Sequence, residues 1–244
     1  MPRFFVSKSD ISDGTVAITG ADAHHLSYSL RMAVGDELSV LDGEGWEYLC
    51  RLSFTDGKRA EAEILEKRPA LGESPVFIHL FQGYPKSDKL EFIIQKAVEL
   101  GASAITPFES AFCVKRPKSD KIDAKRERHE RIATEAAKQC GRGILPAVGA
   151  PLSFDAMVKA AARYPLALFC YEGEGTVSLK DVLSAHPDAK EIAVVVGSEG
   201  GFSEKEAEAA RTAGLVLTGL GKRILRCETA PLCALSAISY AYEL

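Results

Sequence analysis

Residues 192–202 read IAVVVGSEGGF, an apolar run that leads directly into a glycine-rich loop. A short, continuous apolar run of this kind is typical of a strand buried on both faces of a sheet. The glycines permit positive φ angles and let backbone amides approach a ligand closely. The following residues, Ser203 to Glu206, have the spacing of a capping box, which predicts that a helix begins there. The segment therefore predicts a strand, a loop and a helix in succession.

The same rhythm extends over residues 76–244. Apolar segments predict strands at 76–81, 104–108, 166–171, 191–196 and 215–217. Helical spacing predicts helices at 90–98, ended by Gly101, and at 123–139 and 230–242. Alternation of strands and helices predicts an α/β fold, with a parallel sheet covered by helices on both faces.

The first seventy residues have a different pattern. Short segments at 37–41, 46–52 and 60–65 alternate apolar and polar residues, and glycine-containing turns separate them. This pattern predicts antiparallel strands in a small barrel, with one short helix over Asp22 to Arg31. Proline, glycine and serine at 69–75 predict a linker. We therefore expect two domains, at 1–70 and 76–244.

Composition excludes several classes of protein. The chain has 244 residues, of which 46% are hydrophobic and 26% charged, and a formal net charge of −4, so any nucleic-acid surface must be a local patch. The six cysteines form no C-x-x-C pair, which leaves zinc and redox motifs unsupported, and we expect no metal. No apolar run reaches membrane-spanning length and the N-terminus lacks a signal-peptide pattern, so we expect a cytoplasmic protein.

The glycine loop matches neither of the common phosphate-binding motifs. It lacks the G-K-[ST] ending of a P-loop and the G-x-G-x-x-G spacing of a dinucleotide fingerprint. Glu199, inside the loop, would repel a phosphate. Residues 197–201 are therefore either a tight turn without a ligand or the site of a cofactor that carries no phosphate.

A second polar loop, LGKRILRCETA at 220–230, lies between a predicted strand and the last helix, where open α/β sheets bind ligands. Arg226 and Glu228 could simply form a surface ion pair, which would contribute little to stability. Thr229 is a candidate N-cap for the helix. The basic stretch from Lys115 to Arg131 is open to two interpretations, a solvated helix face or a phosphate-contacting patch.

Taken together, these segments resemble the RsmE family of ribosomal RNA methyltransferases, in the SPOUT superfamily. The resemblance is carried by GSEGGFS at 197–203 and LGKRILRCETA at 220–230. It is supported by QKAVELG at 95–101, EAAKQCGR at 135–142, and His25-Leu26 with Leu30-Arg31. It covers nearly the whole length of the chain.

The resemblance implies a PUA-like β-barrel RNA-binding domain followed by a SPOUT methyltransferase domain whose C-terminal chain threads a trefoil knot. It implies a homodimer that transfers a methyl group from S-adenosyl-L-methionine to the uracil N3 of a uridine in 16S rRNA of the small ribosomal subunit. S-adenosylmethionine carries no phosphate, which agrees with Glu199 in the loop.

We expect the cofactor to contact both glycine-containing loops and the end of a neighbouring strand, at Tyr171, Gly197, Glu199, Gly200, Gly201, Leu220, Gly221, Ile224 and Leu225. The uracil N3 must lose a proton, so charge builds on the ring oxygens. Arg226 is the candidate to stabilise that charge, and Glu228 is the candidate proton acceptor or the group that orients Arg226. Candidate RNA phosphate contacts are Arg3, Arg31, Lys86, Lys115, Arg116 and Arg142.

Three alternatives remain at this stage. The first is a SPOUT enzyme that modifies a tRNA base or a ribose hydroxyl. The second is a non-catalytic RNA-binding module. The third is a nucleotide-dependent oxidoreductase, which the missing dinucleotide fingerprint disfavours.

Overall fold

The computed structural model describes residues 1–86, 88–114 and 122–244. Two compact units divide the chain. The first comprises Met1–Glu73 and Ala137–Leu145, and the second comprises Ser74–Ala136 and Pro146–Leu244. No helix in the described part of the chain is long and apolar enough to cross a membrane.

The first unit contains a six-stranded sheet in the order β1-β4-β5-β6-β3-β2. Its strands are β1 (Arg3–Phe5), β2 (Ile11–Ser12), β3 (Thr15–Thr19), β4 (Glu37–Leu41), β5 (Trp46–Thr55) and β6 (Arg59–Pro69). The pairing of β1 with β4 is parallel, and the other pairs are antiparallel. Strands are thus found at all three predicted positions, and β5 and β6 extend further than predicted.

The helix predicted over Asp22 to Arg31 differs in form. A single α-helical turn, α1 (Gly20–His24), continues as a π-helical turn over His25–Ser29. Helical hydrogen bonding ends with the Leu30 N–H donating to the His25 carbonyl at 3.0 Å. Arg31 then adopts a φ of 53°, a left-handed conformation that stops the helix.

The second unit is built on a parallel sheet in the order β10-β8-β7-β13-β11-β14-β12, with β9 paired to β8. Its strands are β7 (Phe77–Gly83), β8 (Ala104–Glu109), β9 (Ala147–Val148), β10 (Leu152–Ser153), β11 (Leu166–Cys170), β12 (Val177–Ser178), β13 (Glu191–Val196) and β14 (Val216–Gly219). All of its pairings are parallel. The α/β fold with a parallel sheet is confirmed. The last strand begins one residue later than predicted and continues to Gly219.

Among the described residues, the helices that accompany this sheet are α2 (Lys89–Glu99), α3 (Ile122–Cys140), α4 (Phe154–Ala161), α5 (Leu179–Ala185), α6 (Glu204–Thr212) and α7 (Thr229–Tyr242). The predicted capping box is present, because the Ser203 hydroxyl and the Glu206 carboxylate each accept from the other's backbone N–H. The prediction that Thr229 caps α7 is wrong. Glu228 is the N-cap residue and its side chain makes no capping bond, because its carboxylate binds Lys89 instead.

Strand β13 lies at the centre of the sheet, between β7 and β11, and Ile192 to Val196 are all buried. This explains the continuous apolar run, since a central parallel strand is covered on both faces. Beyond the strand, the ring of Phe202 packs 4.1 Å from that of Phe169 and stacks on that of Phe108 at 6.1 Å. These aromatic contacts fix the far end of the glycine loop to the core.

Candidate functional site

A cavity of about 310 Å³ opens at the carboxyl ends of the neighbouring strands β11, β13 and β14. Open α/β sheets bind ligands at this edge. Most of the residues predicted to bind the cofactor line the cavity, namely Tyr171, Gly197, Glu199, Gly201, Leu220, Gly221, Ile224 and Leu225. Arg226 lines it as well. The structure therefore brings the two predicted loops together around one space.

The first wall is a tight turn at the end of β13. The Gly201 N–H donates to the Ser198 carbonyl at 3.0 Å, and Gly201 adopts a φ of 62°. The Gly197 carbonyl accepts from the side-chain amide of Gln82 at 3.1 Å, which fixes the turn to the end of β7. Gly200 lies in the turn beside Phe112, which a Cβ at Gly200 would approach to 2.6 Å.

Strand β7 and the turn are in very close contact. A Cβ on Gly83 would lie 2.4 Å from the Ser198 amide nitrogen and 2.7 Å from the Gly197 carbonyl carbon. Both of these are backbone atoms, so a rotamer change would not relieve the overlap. Only glycine allows the strand to approach the turn this closely.

The second wall is the loop after β14. Gly221 has a φ of 110°, and the loop closes where the Arg226 carbonyl accepts from the Thr229 and Ala230 N–H groups at 2.8 and 2.9 Å. Ile224 is 85% exposed although it is apolar, and the Arg226 side chain is also exposed. The loop thus presents an apolar surface and an exposed guanidinium beside the cavity.

A cluster of charged side chains lies at one side of the cavity. The Lys89 ammonium, at the first position of α2, is 3.2 Å from Glu199 Oε1 and 3.0 Å from Glu228 Oε2. The Glu199 carboxylate also accepts from the Lys86 backbone N–H, at 3.1 Å. Glu228 is therefore paired with Lys89, and this excludes the interpretation that it serves only as a surface partner of Arg226.

The ionisation of this cluster follows from these contacts. The hydrogen bond to Glu228 and that to Glu199 raise the pKa of Lys89. Burial acts to raise the pKa of Glu228, but hydrogen bonds from Lys89 and Cys227 outweigh it, and the net pKa is lowered. The pKa of Glu199 is lowered in the same way, against burial, by backbone N–H groups and Lys89. One ammonium and two carboxylates are therefore charged at neutral pH.

Cys227 adjoins this cluster, and its thiol donates a hydrogen bond to it. Burial, together with a hydrogen bond to Glu228, raises the pKa of the Cys227 thiol to about 12. The thiol is therefore protonated at neutral pH and donates to Glu228 Oε2 at 3.2 Å.

The six predicted RNA contacts have different outcomes. Arg3, Arg31 and Lys86 are exposed, whereas Lys115 and Arg116 lie outside the described residues. The prediction for Arg142 is wrong. Its side chain is 3% exposed and its guanidinium donates to Glu73 Oε2 at 2.8 Å, so it is not available to an RNA phosphate.

Two residues at the cavity were not predicted from the sequence: Lys89, which lines it, and Gln82, which holds the turn after β13. A lysine at the first position of a helix opposes the helix dipole, and this unfavourable placement is a local signal that Lys89 has a partner elsewhere. Its partners become visible only when β7 is known to pair with β13. Within the described residues, no cluster of three or more potential metal ligands is found.

Comparisons with known proteins agree with this geometry. A family model described as an RNA methyltransferase domain matches residues 72–239, and one described as an RNA methyltransferase PUA domain matches residues 18–65. The chain is similar to the ribosomal RNA small subunit methyltransferase E of Bacillus subtilis, with 38% identity over 100% of this chain and 98% of the relative. The corresponding protein of Synechocystis is 36% identical, over 99% of this chain and 78% of the relative.

Solved structures show the same fold. A ribosomal RNA small subunit methyltransferase E from Neisseria gonorrhoeae, bound to S-adenosyl methionine, superimposes with a TM-score of 0.88 and 34% identity over 99% of this chain and 98% of that one. A methyltransferase of Legionella pneumophila, in complex with the same cofactor, has a TM-score of 0.88 and 28% identity over 98% and 97% of the two chains. The chain belongs to the ribosomal RNA small subunit methyltransferase E family, with an RNA methyltransferase domain preceded by a PUA domain.

Proposed function

We propose that this protein transfers the methyl group of S-adenosylmethionine to N3 of a uridine in the 16S rRNA of the small ribosomal subunit. The observation that carries the proposal is the cavity formed by the loops after β11, β13 and β14. Its location is the ligand-binding edge of the sheet, and the chain matches rRNA methyltransferases along its whole length.

The cavity suits a nucleoside cofactor that carries charges of both signs, as S-adenosylmethionine does. Its lining combines two carboxylates, Glu172 and Glu199, with the cations Lys89, Arg223 and Arg226. Lys89 neutralises Glu199, so Glu172 is the carboxylate that would favour a sulfonium. Val196, Leu220 and Leu225 provide apolar walls for a planar base. The volume of about 310 Å³ is within the usual range for small-ligand sites.

When bound, S-adenosylmethionine supplies an activated methyl group. The backbone of Gly197 to Gly201 and of Leu220 to Leu225 would hold the adenine and ribose. Tyr171, fixed by its N–H bond to the Thr218 carbonyl at 3.0 Å, forms a third wall. The exposed Arg226 guanidinium stabilises the negative charge that develops on the uracil oxygens as N3 loses its proton.

Glu228 is the proposed proton acceptor and is ionised at neutral pH. The ion pair with Lys89 that lowers its pKa also makes it a weak base. We therefore expect Glu228→Gln to reduce turnover by less than the ~10²-fold that marks the lower end of general-base contributions.

RNA binding is assigned to the exposed basic residues Arg3, Arg31 and Lys86, with Lys115 and Arg116 as further candidates. An affinity that rests on phosphate contacts falls steeply as salt increases. The target uridine must leave its stack to reach the cavity. We further propose that the protein acts in the cytoplasm and that it forms a homodimer. Sedimentation equilibrium would test the dimer.

The decisive experiment is methyl transfer from labelled S-adenosylmethionine to purified small subunits that lack modifications, followed by mapping of the labelled nucleotide. We expect label at a single uracil N3. Label on tRNA, on a ribose or on another base would overturn the proposed target. Cofactor binding without any label would indicate a non-catalytic RNA-binding module.

A further inference from the structure

Lys89 is the point at which three loops of the second unit meet. It begins α2, directly after the loop that follows β7. Its ammonium binds Glu199, in the turn after β13, and Glu228, which precedes α7. Its Nζ also lies 3.9 Å from the Cys227 sulfur. The two carboxylates thus share a single cation.

The placement of Lys89 is electrostatically unfavourable without these partners. The first turn of a helix carries a partial positive charge, which disfavours a cation. The side chain is 32% exposed, so it is also partly removed from water. The carboxylates of Glu199 and Glu228 compensate for both costs. The Lys86 N–H, in the loop that precedes α2, also donates to Glu199.

We propose that Lys89 is a positioning residue for methyl transfer, which ties the turn after β13 to the start of α7 and so holds the cofactor cavity in its working shape. This inference rests on the proposed function. Both segments that it joins line the cavity. Lys89 itself lines the cavity, but its ammonium is engaged by Glu199 and Glu228, and it acts through them.

Removing the cation should separate the two walls. Glu199 Oε1 and Glu228 Oε2 lie 3.2 and 3.0 Å from the same Lys89 nitrogen. Without Lys89 the two carboxylates lose the cation that they share, and like charges this close to a common point repel. The turn holding Glu199 and the Arg226 loop would then move apart. Displacing catalytic and binding groups by about 1 Å costs on the order of 10²-fold in rate.

The test compares Lys89→Met, Lys89→Arg and Lys96→Met in the full-length protein. Lys96 is a matched control, because it lies in the same helix, is 33% exposed and is paired with Glu99 at 2.8 Å, away from the cavity. Calorimetry gives the affinity for S-adenosylmethionine, and methyl transfer to small subunits gives kcat and KM. Chemical denaturation measures the folding stability of each variant.

We expect Lys89→Met to weaken cofactor affinity and to lower kcat, each by about tenfold or more. Lys89→Arg, which keeps the charge and can bridge two carboxylates, should recover most of both, and Lys96→Met should match wild type. If Lys89→Met does not fold, Glu199→Gln removes the charge from one of the two ion pairs and should change both quantities in the same direction by a smaller factor.

Two results would overturn the inference. One is wild-type affinity and kcat in Lys89→Met. The other is a loss of kcat at unchanged cofactor affinity that Lys89→Arg does not restore, which would place Lys89 at the reacting atoms. Failure of the proposed function is distinct from both, because the wild-type protein itself would then transfer no label to small subunits.

Discussion

Replacing Gly83 with alanine should displace the turn after β13, which forms one wall of the proposed cofactor site. The added Cβ would lie 2.4 Å from the Ser198 amide nitrogen, whereas ordinary van der Waals contact begins at 3.4 Å. Strand β7 or the turn after β13 must therefore move by roughly 1 Å, since neither contacting atom belongs to a side chain that can rotate away. The strand is held by β8 and β13 on either side, so most of the movement should occur in the turn.

The expected magnitudes follow from this displacement. Overpacking of a well-packed region costs about 1–3 kcal/mol in the free energy of unfolding. A shift of about 1 Å in groups that hold a reactant costs on the order of 10²-fold in rate. Urea denaturation, calorimetry with S-adenosylmethionine and methyl transfer to small subunits would measure the three effects separately.

Gly219→Ala is the matched control. Gly219 ends β14, and a Cβ there would meet the Thr176 hydroxyl at 3.2 Å, an atom of a side chain that can adjust. It should lose less stability than Gly83→Ala and keep its cofactor affinity. Our reasoning would be refuted if Gly83→Ala bound the cofactor as tightly as wild type, or if both variants were equally impaired.

Three further predictions test the site and its support. Arg226→Ala should lower kcat by at least about tenfold while cofactor affinity stays within about twofold, and an equal loss of both in calorimetry and turnover assays would contradict the assigned role. Burial lowers the pKa of His79 to about 4 from an ordinary 6.5. Between these pH values the unfolded chain binds a proton at His79 that the folded protein does not. The free energy of unfolding should therefore fall by about 3 kcal/mol as the pH drops from 6.5 towards 4. His79→Asn should flatten that part of the stability profile in urea titrations, and an unchanged slope would assign it to other groups. Arg142→Ala should lower the free energy of unfolding by about 3–5 kcal/mol, because it leaves Glu73 without its buried partner. If this variant instead kept its stability and lost only RNA affinity in a filter-binding assay, Arg142 would be an RNA contact after all.

The elements of the fold were predictable because their signals are local. The apolar run at 192–196 and the capping box at Ser203 each depend on a few adjacent residues, and both appear in the structure. The order of the strands was not predictable in the same way, because the pairing of β7 with β13 joins segments more than a hundred residues apart in the chain. The trefoil knot implied by the family resemblance stays a prediction, since strand order and register describe pairing and not threading.

The site shows the same division between local and distant information. The two loops were identified because each contains its own glycines and charges, and the structure brings them to one cavity. Lys89 was missed because its partners lie on two distant loops. Arg142 was misassigned because an arginine between two glycines gives no local sign of burial, and its partner is 69 residues away.

The first unit is built from two separate stretches of the chain, and this affects when it can finish folding during synthesis. This unit includes Ala137–Leu145 as well as Met1–Glu73, and Glu73 binds both the Arg142 guanidinium and the Ile144 N–H. A nascent chain grows at about 5–20 residues per second, so Arg142 is made roughly 3 to 14 seconds after Glu73. The N-terminal unit therefore stays incomplete while the ribosome synthesises much of the following unit.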